Sequence, residues 1–286
     1  FYERKGDADA YEMSAEDIFR KIDTVKDEVR EVHIVGGHHP DWPFETYVEV
    51  VRMIKQRYPW VNVKAYTAAE INYFTRITRR AVDDILAELK DAGLDTLPGG
   101  GAEVFSDRLH QLLFPGKADW RRWLEIHKTA HRMGIRSNAT MLFGHIETPE
   151  EVVEHMIKLR DLEDETPGFF AFIPLSFHPE HTEMSHIRQS SGLYDLKIVA
   201  LSRLMLDNFP HIKSYWIQLG EKTAQAALHY GASDLDGTIV EEVITHAAGA
   251  SSPVGMTKDH MVHLIREAGY TPVERDALYN EIRVYA

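Results

Sequence analysis

Four of the sixteen histidines follow short β-rich runs, the positions from which side chains of a parallel sheet reach a ligand. They are His38, His39, His145 and His178, and Asp236 follows a later run. Imidazoles from several strands and one carboxylate can hold a divalent metal that activates water, which gives the hypothesis of a metal-dependent TIM-barrel hydrolase. The chain has no His-x-His pair and no His-Glu-x-x-His helix, the spacings typical of such a site.

Two glycine clusters also follow predicted strands, Gly36-Gly37 and Gly99-Gly100-Gly101. Glycine lets backbone amides and carbonyls approach a ligand where a Cβ would clash, although a glycine pair alone serves equally well in a tight strand-to-helix turn. No Gly-Lys-Ser/Thr follows the triplet, so it is not a phosphate-binding loop of the P-loop type. Glu103 can accept two hydroxyl hydrogen bonds from a ribose, or it can be a solvated carboxylate at a helix start.

The elements that must position these residues alternate between short β-rich runs and longer amphipathic runs. Such alternation implies a parallel sheet with right-handed crossovers, and in a barrel of such units the chemistry lies at the C-terminal strand ends. A leading helix at 14–28 and seven strands fit an α/β (βα)8 TIM-type barrel whose first strand lies upstream of Phe1. A doubly wound open sheet is the alternative, because periodicity does not show closure. The predicted strands are 32–35, 61–66, 94–97, 135–143, 169–177, 212–219 and 235–238.

The intervening helices are predicted from apolar stripes and from stop signals such as Gly93 and Gly134. The barrel is expected to occupy residues 1–249, and residues 250–286 are expected to form a C-terminal helix and a tail packed on it. The predicted helices after the leading one are 44–58, 80–91, 120–133, 149–162, 194–208, 222–230 and 240–247, with one more that begins at Thr257.

Charge and composition argue against several classes of partner and of site. The 32 basic and 45 acidic residues give a net charge of −13, which argues against nucleic acid or an anionic membrane as a partner. No apolar run approaches the roughly 20 residues of a membrane span. The chain contains no cysteine, which excludes disulfides and thiolate metal sites within these residues. A cytoplasmic enzyme acting on a small molecule is the default expectation.

Several motifs together resemble one known family. The runs 34–41 (IVGGHHPD), 64–71 (KAYTAAEI), 97–103 (LPGGGAE), 136–148 (RSNATMLFGHIET) and 171–180 (AFIPLSFHPE) are similar to the menaquinone branch of the radical S-adenosylmethionine (radical SAM) barrel enzymes. Within this branch, the stretches 137–140, 174–179 and 240–249 resemble the aminofutalosine synthases more than the related cyclic dehypoxanthinylfutalosine synthases. The resemblance covers essentially the whole chain.

The resemblance implies two cofactors, a [4Fe–4S] cluster and S-adenosylmethionine. The family holds the cluster with a Cys-x3-Cys-x2-Cys loop after the first strand, and Phe1 to Asp7 resemble the residues that follow this loop. We therefore expect the loop and the first strand immediately upstream of Phe1; a natural chain that lost the cluster is the alternative. The implied partners are a small aryl enol ether dicarboxylate and an electron donor such as flavodoxin or ferredoxin.

The implied reaction adds a 5′-deoxyadenosyl radical to 3-[(1-carboxyvinyl)oxy]benzoate and gives 6-amino-6-deoxyfutalosine, bicarbonate and methionine. The usual acidic residue after the glycine pair is His38 here, so a direct carboxylate contact from that position is not expected. No catalytic residue and no metal ligand is assigned within the chain. The positions implied for S-adenosylmethionine are Gly36, Gly37, Thr67, Glu70, Glu103, Gly144 and Glu147. Those implied for the substrate are His38, Asn138, Thr140, His145, His178 and Asp236.

Overall fold

The computed structural model describes residues 11–101, 103–239 and 255–286. The chain divides into two compact units. The N-terminal unit comprises Tyr2–Gly101 and Arg121–Ser137, and the C-terminal unit comprises Ala102–Trp120 and Asn138–Ala286 together with Phe1. One strand, β4 (Arg136–Phe143), begins in the first unit and continues in the second.

Helices and strands alternate along the described chain. The strands are β1 (Glu31–Ile34), β2 (Asn62–Ala65), β3 (Thr96–Leu97), β4, β5 (Phe169–Ser176), β6 (His211–Ile212), β7 (Val273–Arg275) and β8 (Glu281–Val284). The helices are α1 (Ala15–Asp23), α2 (Phe44–Arg57), α3 (Ala68–Thr78), α4 (Val82–Ala92), α5 (Asp107–Leu113), α6 (Trp120–Arg132), α7 (Pro149–Glu165), α8 (Gly192–Met205), α9 (Trp216–Leu219), α10 (Glu221–Ala227) and α11 (Lys258–Glu267).

In the N-terminal unit the strands are parallel and follow chain order from β1 to the start of β4. Glu31 pairs with Asn62, Lys64 with Thr96, and Thr96 with Arg136. Every residue of β2 is buried, as expected for a strand that is covered on both faces. Parallel pairing brings the C-terminal ends of β1, β2 and β3 to one edge, where the first two glycine clusters lie.

In the C-terminal unit β4, β5 and β6 also follow chain order, and β5 pairs with β6 in parallel. Side chains alternate along β4. Ala139, Met141 and Phe143 are fully buried, whereas Thr140 and Leu142 on the other face are half-buried. Polar residues at even positions of β4 therefore lie on the face opposite to this apolar row.

The C-terminal segment forms α11 and an antiparallel hairpin of β7 and β8. Gln225 of α10 donates to the carbonyl of Leu264 at 2.9 Å, and Arg275 donates to Asp234 at 2.5 Å. The tail is thus held to α10 and to the segment after β6 by partly buried polar contacts. None of the helices in the described ranges has the length and apolar character needed to cross a bilayer.

Two predicted strands are wrong. The run 212–219 is strand only at His211–Ile212, and Trp216–Leu219 is a short helix that buries Trp216 and Ile217. A short buried apolar run fits either structure, so periodicity did not separate them. The strand predicted at 235–238 is reduced to one parallel bridge between Lys213 and Asp234. The helix predicted at 240–247 lies outside the described residues.

Three elements were not predicted: α3, α5 and the C-terminal hairpin. For α3 the signal was present, because Thr67 and Glu70 form a capping box at its start. Ser106 likewise caps α5 by accepting from the amide of Leu109. Each cap lies close behind a strand end, where the sequence was interpreted as loop.

Candidate active site

The glycine pair after β1 is held by a carboxylate from α3. Oε1 of Glu70 accepts from the amides of Gly36 at 2.8 Å and of Gly37 at 3.1 Å, and Oε2 accepts from the amide of Thr67 at 2.7 Å. Gly37 has φ +68°, a conformation that favours glycine. Glu70 is 2% exposed, and this burial raises the pKa of its carboxyl although the amides of Thr67 and Gly36 oppose the effect.

The glycine triplet after β3 packs against the start of the same helix. A Cβ on Gly101, whose φ is +112°, would lie 3.1 Å from the amide nitrogen of Ala69. The indole of Trp123 donates to the carbonyl of Gly100 at 3.1 Å and fixes the triplet from the other side. The turn after β1, the start of α3 and the glycine triplet therefore meet at one edge of the N-terminal unit.

His38 and His39 are fixed by aromatic neighbours. His38 stacks on Tyr73 with ring centroids 4.5 Å apart, and its Nε2 lies 3.2 Å from the carbonyl of Ala69. His39 stacks on Trp42 at 4.6 Å and donates its backbone amide to the hydroxyl of Tyr47. The two imidazoles thus belong to an aromatic cluster beside the glycine pair.

A second carboxylate holds the turn after β4, in the C-terminal unit. Glu147 accepts from the amides of Gly144 at 2.6 Å and of His145 at 2.9 Å. Nδ1 of His145 accepts from the amide of Ile146 at 2.7 Å, so Nε2 carries the proton and donates to the carbonyl of Leu142 at 2.9 Å. Both nitrogens of this buried imidazole are therefore engaged, and Nδ1 also lies 3.2 Å from Oε2 of Glu147.

His178, after β5, is likewise engaged through both ring nitrogens. Its Nε2 lies 3.0 Å from the carbonyl of Gln218, and its Nδ1 lies 3.2 Å from the side-chain amide of Gln189. His178 is buried. These contacts give the ring a fixed orientation.

A polar network that the sequence did not predict lies next to the turn after β4. Asp195 accepts from Ser190 at 2.5 Å and from Ser176 at 3.3 Å, and burial raises the pKa of its carboxyl. Ser190 is also the side chain that a Cβ on Gly144 would meet, at 3.4 Å. The residues around Ser190, which precedes the N-cap of α8, do not indicate this network, because the partner Ser176 is fourteen residues away in the sequence.

Glu103 is paired with a cation. Burial alone would raise the pKa of its carboxyl, but Lys117, whose ammonium lies 2.7 Å from Oε1, lowers the pKa below its ordinary value. The backbone of Glu103 has φ +46°, and its carbonyl accepts from the amide of Leu142. An ionised carboxylate at this position can accept hydroxyl hydrogen bonds.

Asn138 and Asp236, both implied as substrate contacts, lie in different surroundings. Oδ1 of Asn138 is buried and has no hydrogen-bond partner among the described residues. Asp236 forms an ion pair with the buried Lys213, and its carbonyl accepts from Arg275 at 3.0 Å. Asn138 therefore offers a free acceptor to a ligand, whereas the charge of Asp236 is already compensated.

Residues with a positive, left-handed φ lie after several of the strands. Three non-glycine residues with positive φ follow strands or the strand-like bridge: Tyr66 (62°), Glu103 (46°) and Asp236 (74°). Such conformations cost of order 1–3 kcal/mol and collect at functional sites. They coincide with the segments that carry the polar side chains described above.

The described residues contain no group of three histidine, aspartate or glutamate side chains arranged to hold a metal ion. The imidazoles of His145 and His178 instead contact carbonyl and amide groups. The hydrolase hypothesis thus has no support in this part of the chain. The 286 residues also include no thiolate for an iron–sulfur cluster, so they do not fit that group by themselves.

Comparison with known proteins gives two family matches. Residues 1–159 match the model of the radical SAM superfamily, and residues 166–285 match the CofH/MqnC C-terminal region. The chain is 46% identical to the aminodeoxyfutalosine synthase of Thermus thermophilus and 40% identical to that of Streptomyces coelicolor, covering all of this chain and 78% and 77% of theirs. It is also 38% identical to the 5-amino-6-(D-ribitylamino)uracil–L-tyrosine 4-hydroxyphenyl transferase of Methanopyrus kandleri, covering 98% of this chain and 77% of that one.

Solved structures show the same fold at low identity. Methylornithine synthase (PylB) aligns with 92% of this chain and 75% of its own, with a TM-score of 0.65 and 16% identity. The HMG-CoA lyase of Bacillus subtilis aligns with 90% of this chain and 80% of its own, with a TM-score of 0.56 and 14% identity. The prediction that this chain has the α/β fold of the TIM-type radical SAM enzymes is confirmed.

Proposed function

We propose a function on the premise that the chain belongs to the radical SAM superfamily and, within it, to the family of the aminodeoxyfutalosine synthases. The proposed reaction converts S-adenosylmethionine and 3-[(1-carboxyvinyl)oxy]benzoate to 6-amino-6-deoxyfutalosine, methionine and bicarbonate, in menaquinone biosynthesis. The observation that carries it is the 46% identity to the Thermus thermophilus enzyme over the whole chain. In this reaction the cofactor supplies the difficult chemistry, and the protein binds, orients and excludes water.

For S-adenosylmethionine, the glycine turns are the residues whose geometry suits a close ligand. The turns at Gly36-Gly37 and Gly144 are each shaped by one carboxylate, Glu70 and Glu147, whose oxygens are taken by backbone amides. We propose that the backbone of these turns contacts the ligand and that the two carboxylates fix it. Glu103 is proposed for the ribose hydroxyls, because its carboxylate is ionised beside Lys117.

For the substrate, Asn138 is the candidate whose buried side-chain oxygen has no hydrogen-bond partner among the described residues. The substrate offers only acceptors, two carboxylates and an ether oxygen, so the hydrogen bond proposed here is donated by Nδ2 of Asn138. Thr140 lies two residues further along the same face of β4. We propose this face as a substrate contact, and His38, His145, His178 and Asp236 as the further substrate contacts that the resemblance implies.

Two cofactor assignments remain part of the proposal. The superfamily implies a [4Fe–4S] cluster and S-adenosylmethionine. We propose that the natural protein holds the cluster with thiolates outside the 286 residues, and that a flavodoxin or a ferredoxin reduces it. The division into a barrel at 1–249 and a packed tail at 250–286 also stays a prediction.

The test is a product assay with the protein expressed from its natural reading frame, with its cluster loaded and a chemical reductant present. Formation of 6-amino-6-deoxyfutalosine, detected by mass spectrometry, is the expected result. The same protein is then given L-tyrosine with 5-amino-6-(D-ribitylamino)uracil, the reactants named for the 38% identical relatives, and dehypoxanthine futalosine, the substrate of a cyclase. Turnover of either alternative without the first product would overturn the proposal.

A further inference from the structure

Lys213, directly after β6, is a buried cation whose hydrogen-bond donors are only partly used. Its side chain is 5% exposed, and within the described ranges its ammonium has one hydrogen-bond acceptor, Oδ1 of Asp236. An ammonium carries three N–H donors, and buried donors are ordinarily paired. The ring of Tyr279, 6.0 Å from Nζ, lies only at the limit of a cation–π contact. The ammonium can therefore donate to a further acceptor.

The ammonium of Lys213 is ionised although it is buried. Burial alone would lower its pKa, but the neighbouring carboxylate of Asp236 outweighs this effect, and the pKa lies above its ordinary value. Arg275 is the other cation beside this pair. All three nitrogens of its guanidinium already donate, to Asp234 at 2.5 Å and to the carbonyls of Asp236 at 3.0 Å and Asp276 at 2.9 Å. Of the two cations, Lys213 is the one that can take an additional anionic partner.

Lys213 lies on the face of the sheet that is turned away from the helices. Phe172 of β5 contacts His155 of α7 with ring centroids 6.1 Å apart, so Phe172 and its strand partner Ile212 face the helix layer. Lys213 continues β6, because its amide donates to the carbonyl of Phe172 at 2.8 Å and it forms a parallel bridge with Asp234. Since side chains alternate along a strand, the side chain of Lys213 points to the face opposite to Ile212.

The same face carries the proposed substrate contacts of β4. Phe143 of β4 contacts Tyr194 of α8 with ring centroids 6.0 Å apart, so the odd-numbered residues of this strand face the helices. Asn138 and Thr140 are even-numbered and lie on the opposite face. Because β4, β5 and β6 are consecutive neighbours in one sheet, Lys213 shares this face with Asn138 and Thr140.

The proposed substrate has a chemical need for a cation at this face. It carries two carboxylates, and the net charge of −13 of the chain disfavours an anion unless its site is locally positive. Of the pair after β6, the ionised carboxylate of Asp236 has no proton to donate to such a group. The ammonium of Lys213 can form a charge-assisted hydrogen bond with it.

We propose that Lys213 binds one of the two carboxylates of the aryl enol ether and makes the site selective for a dicarboxylate. The inference deepens the proposed function and rests on it. Asp236 then acts on the substrate through Lys213, as the counter-ion that orients the ammonium. The two other donors of the ammonium are the groups that the substrate carboxylate pairs.

The experiment compares three ligands. They are 3-[(1-carboxyvinyl)oxy]benzoate, 2-phenoxyacrylate, which lacks the benzoate carboxylate, and 3-(vinyloxy)benzoate, which lacks the carboxylate on the enol ether. Their dissociation constants are determined by isothermal titration calorimetry with S-adenosylmethionine present. The two monocarboxylates show which of the two carboxylates the ammonium binds.

The proteins are expressed from the natural reading frame and loaded with cluster. The unmodified enzyme is compared with Asp236→Asn and with the double variant Lys213→Met, Asp236→Asn, which removes the ammonium without leaving a buried carboxylate unpaired. The control is the double variant Lys55→Met, Asp95→Asn. It makes the same chemical change at a partly exposed ion pair, whose Nζ and Oδ2 are 2.6 Å apart and whose lysine lies on α2.

We expect the double variant at Lys213 and Asp236 to bind the dicarboxylate at least about tenfold more weakly than the unmodified enzyme does. The monocarboxylate that lacks the group bound by Lys213 should bind both proteins equally. Asp236→Asn alone keeps the ammonium and an amide oxygen that can accept from it, so it should retain most of the affinity for the dicarboxylate. The double variant at Lys55 and Asp95 should bind all three ligands as the unmodified enzyme does.

The outcomes separate this inference from the proposed function. Unchanged affinity for the dicarboxylate in the folded double variant at Lys213 and Asp236 overturns the inference. So does an equal loss for all three ligands, or an equal loss in Asp236→Asn or in the control. If the double variant does not fold, the unmodified enzyme still decides, because equal affinity for the three ligands contradicts a carboxylate-binding ammonium. Absence of dicarboxylate binding by the unmodified enzyme would instead refute the proposed function.

Discussion

The carboxylate of Glu70 accepts a 2.8 Å hydrogen bond from the amide of Gly36, thirty-four residues earlier in the chain. Glu147 forms the corresponding contact with the amide of Gly144 at 2.6 Å, only three residues away. In both glycine turns a glutamate carboxylate accepts a hydrogen bond from a glycine amide. Glu70 does so from the segment after the neighbouring strand, and Glu147 from within the same turn. In both turns the carboxylate oxygens accept hydrogen bonds from backbone amides of the turn.

Substitution of Gly101 is expected to disturb the glycine triplet. Gly101→Ala places a Cβ 3.1 Å from the amide nitrogen of Ala69 at φ +112°, and backbone must move to accept it. We expect a loss of about 1–3 kcal/mol in the free energy of unfolding and weaker S-adenosylmethionine binding. Thermal denaturation and calorimetry measure the two effects. Gly116→Ala, whose Cβ would meet nothing within 4 Å, is the control, and equal losses in both variants would contradict this prediction.

We expect Asn138 to contribute to substrate binding and not to the stability of the protein. Asn138→Leu removes a buried amide whose Oδ1 has no partner in the described chain, so the free energy of unfolding should stay unchanged or rise by about 1 kcal/mol. If Nδ2 of this side chain donates to a carboxylate of the aryl enol ether, KM for that substrate should rise at least about tenfold, the factor that corresponds to 1.4 kcal/mol.

The control for this variant is Ser202→Ala, which removes a buried hydroxyl that donates to the carbonyl of Ile198 at 2.7 Å. Its loss should cost about 0.5–1.5 kcal/mol of stability and leave KM unchanged. A destabilised Asn138→Leu protein with ordinary KM would show that the amide is structural.

Replacing only Lys213 of the buried ion pair between Lys213 and Asp236 should cost more stability than replacing both residues. The side chains are 5% and 21% exposed. Lys213→Met removes the buried ammonium from this ion pair and is expected to cost about 3–5 kcal/mol, whereas adding Asp236→Asn should restore part of this loss. Urea denaturation measures both. Arg20→Gln, which breaks an exposed pair with Asp17, should change the stability far less, and an equally small effect of Lys213→Met would refute the prediction.

Acid stability should depend on His155, which is fully buried and accepts from the amide of Phe105 at 3.1 Å. Burial lowers the pKa of this imidazole to about 3. In the unfolded chain the pKa is about 6.5. Between these values the unfolded state binds one proton more, so the free energy of unfolding falls as the pH falls through this window.

His155→Gln keeps an acceptor for the amide of Phe105 but does not titrate. The pH dependence of its unfolding free energy between pH 6.5 and 4.5 should therefore be shallower, by up to about 1.4 kcal/mol per pH unit. Urea denaturation at several pH values measures this slope. Identical slopes in the unmodified protein and in His155→Gln would contradict the assignment.

Much of the fold followed from local patterns. Strands β1, β2, β4 and β5 and helices α2, α6 and α7 lie within a few residues of their predicted positions, because long periodic runs with capping and stop signals carry their own information. The predictions were wrong where a short apolar run had two possible structures, as at Trp216–Leu219. They missed the C-terminal hairpin, because the polar and apolar alternation of β8 extends over only four residues, too few to distinguish a strand from an irregular tail.

The sequence by itself determined the family and the residue types at the strand ends: the glycine pair, the glycine triplet, and the carboxylates and histidines beside them. Only the tertiary structure decided which of these groups are already used by the protein. Glu70 and Gly36 are distant in sequence, and parallel pairing of β1 with β2 brings them into contact. Hydrogen bonding and burial depend on such three-dimensional neighbours, so residue type predicts what a side chain can do, and packing decides what remains free for a ligand.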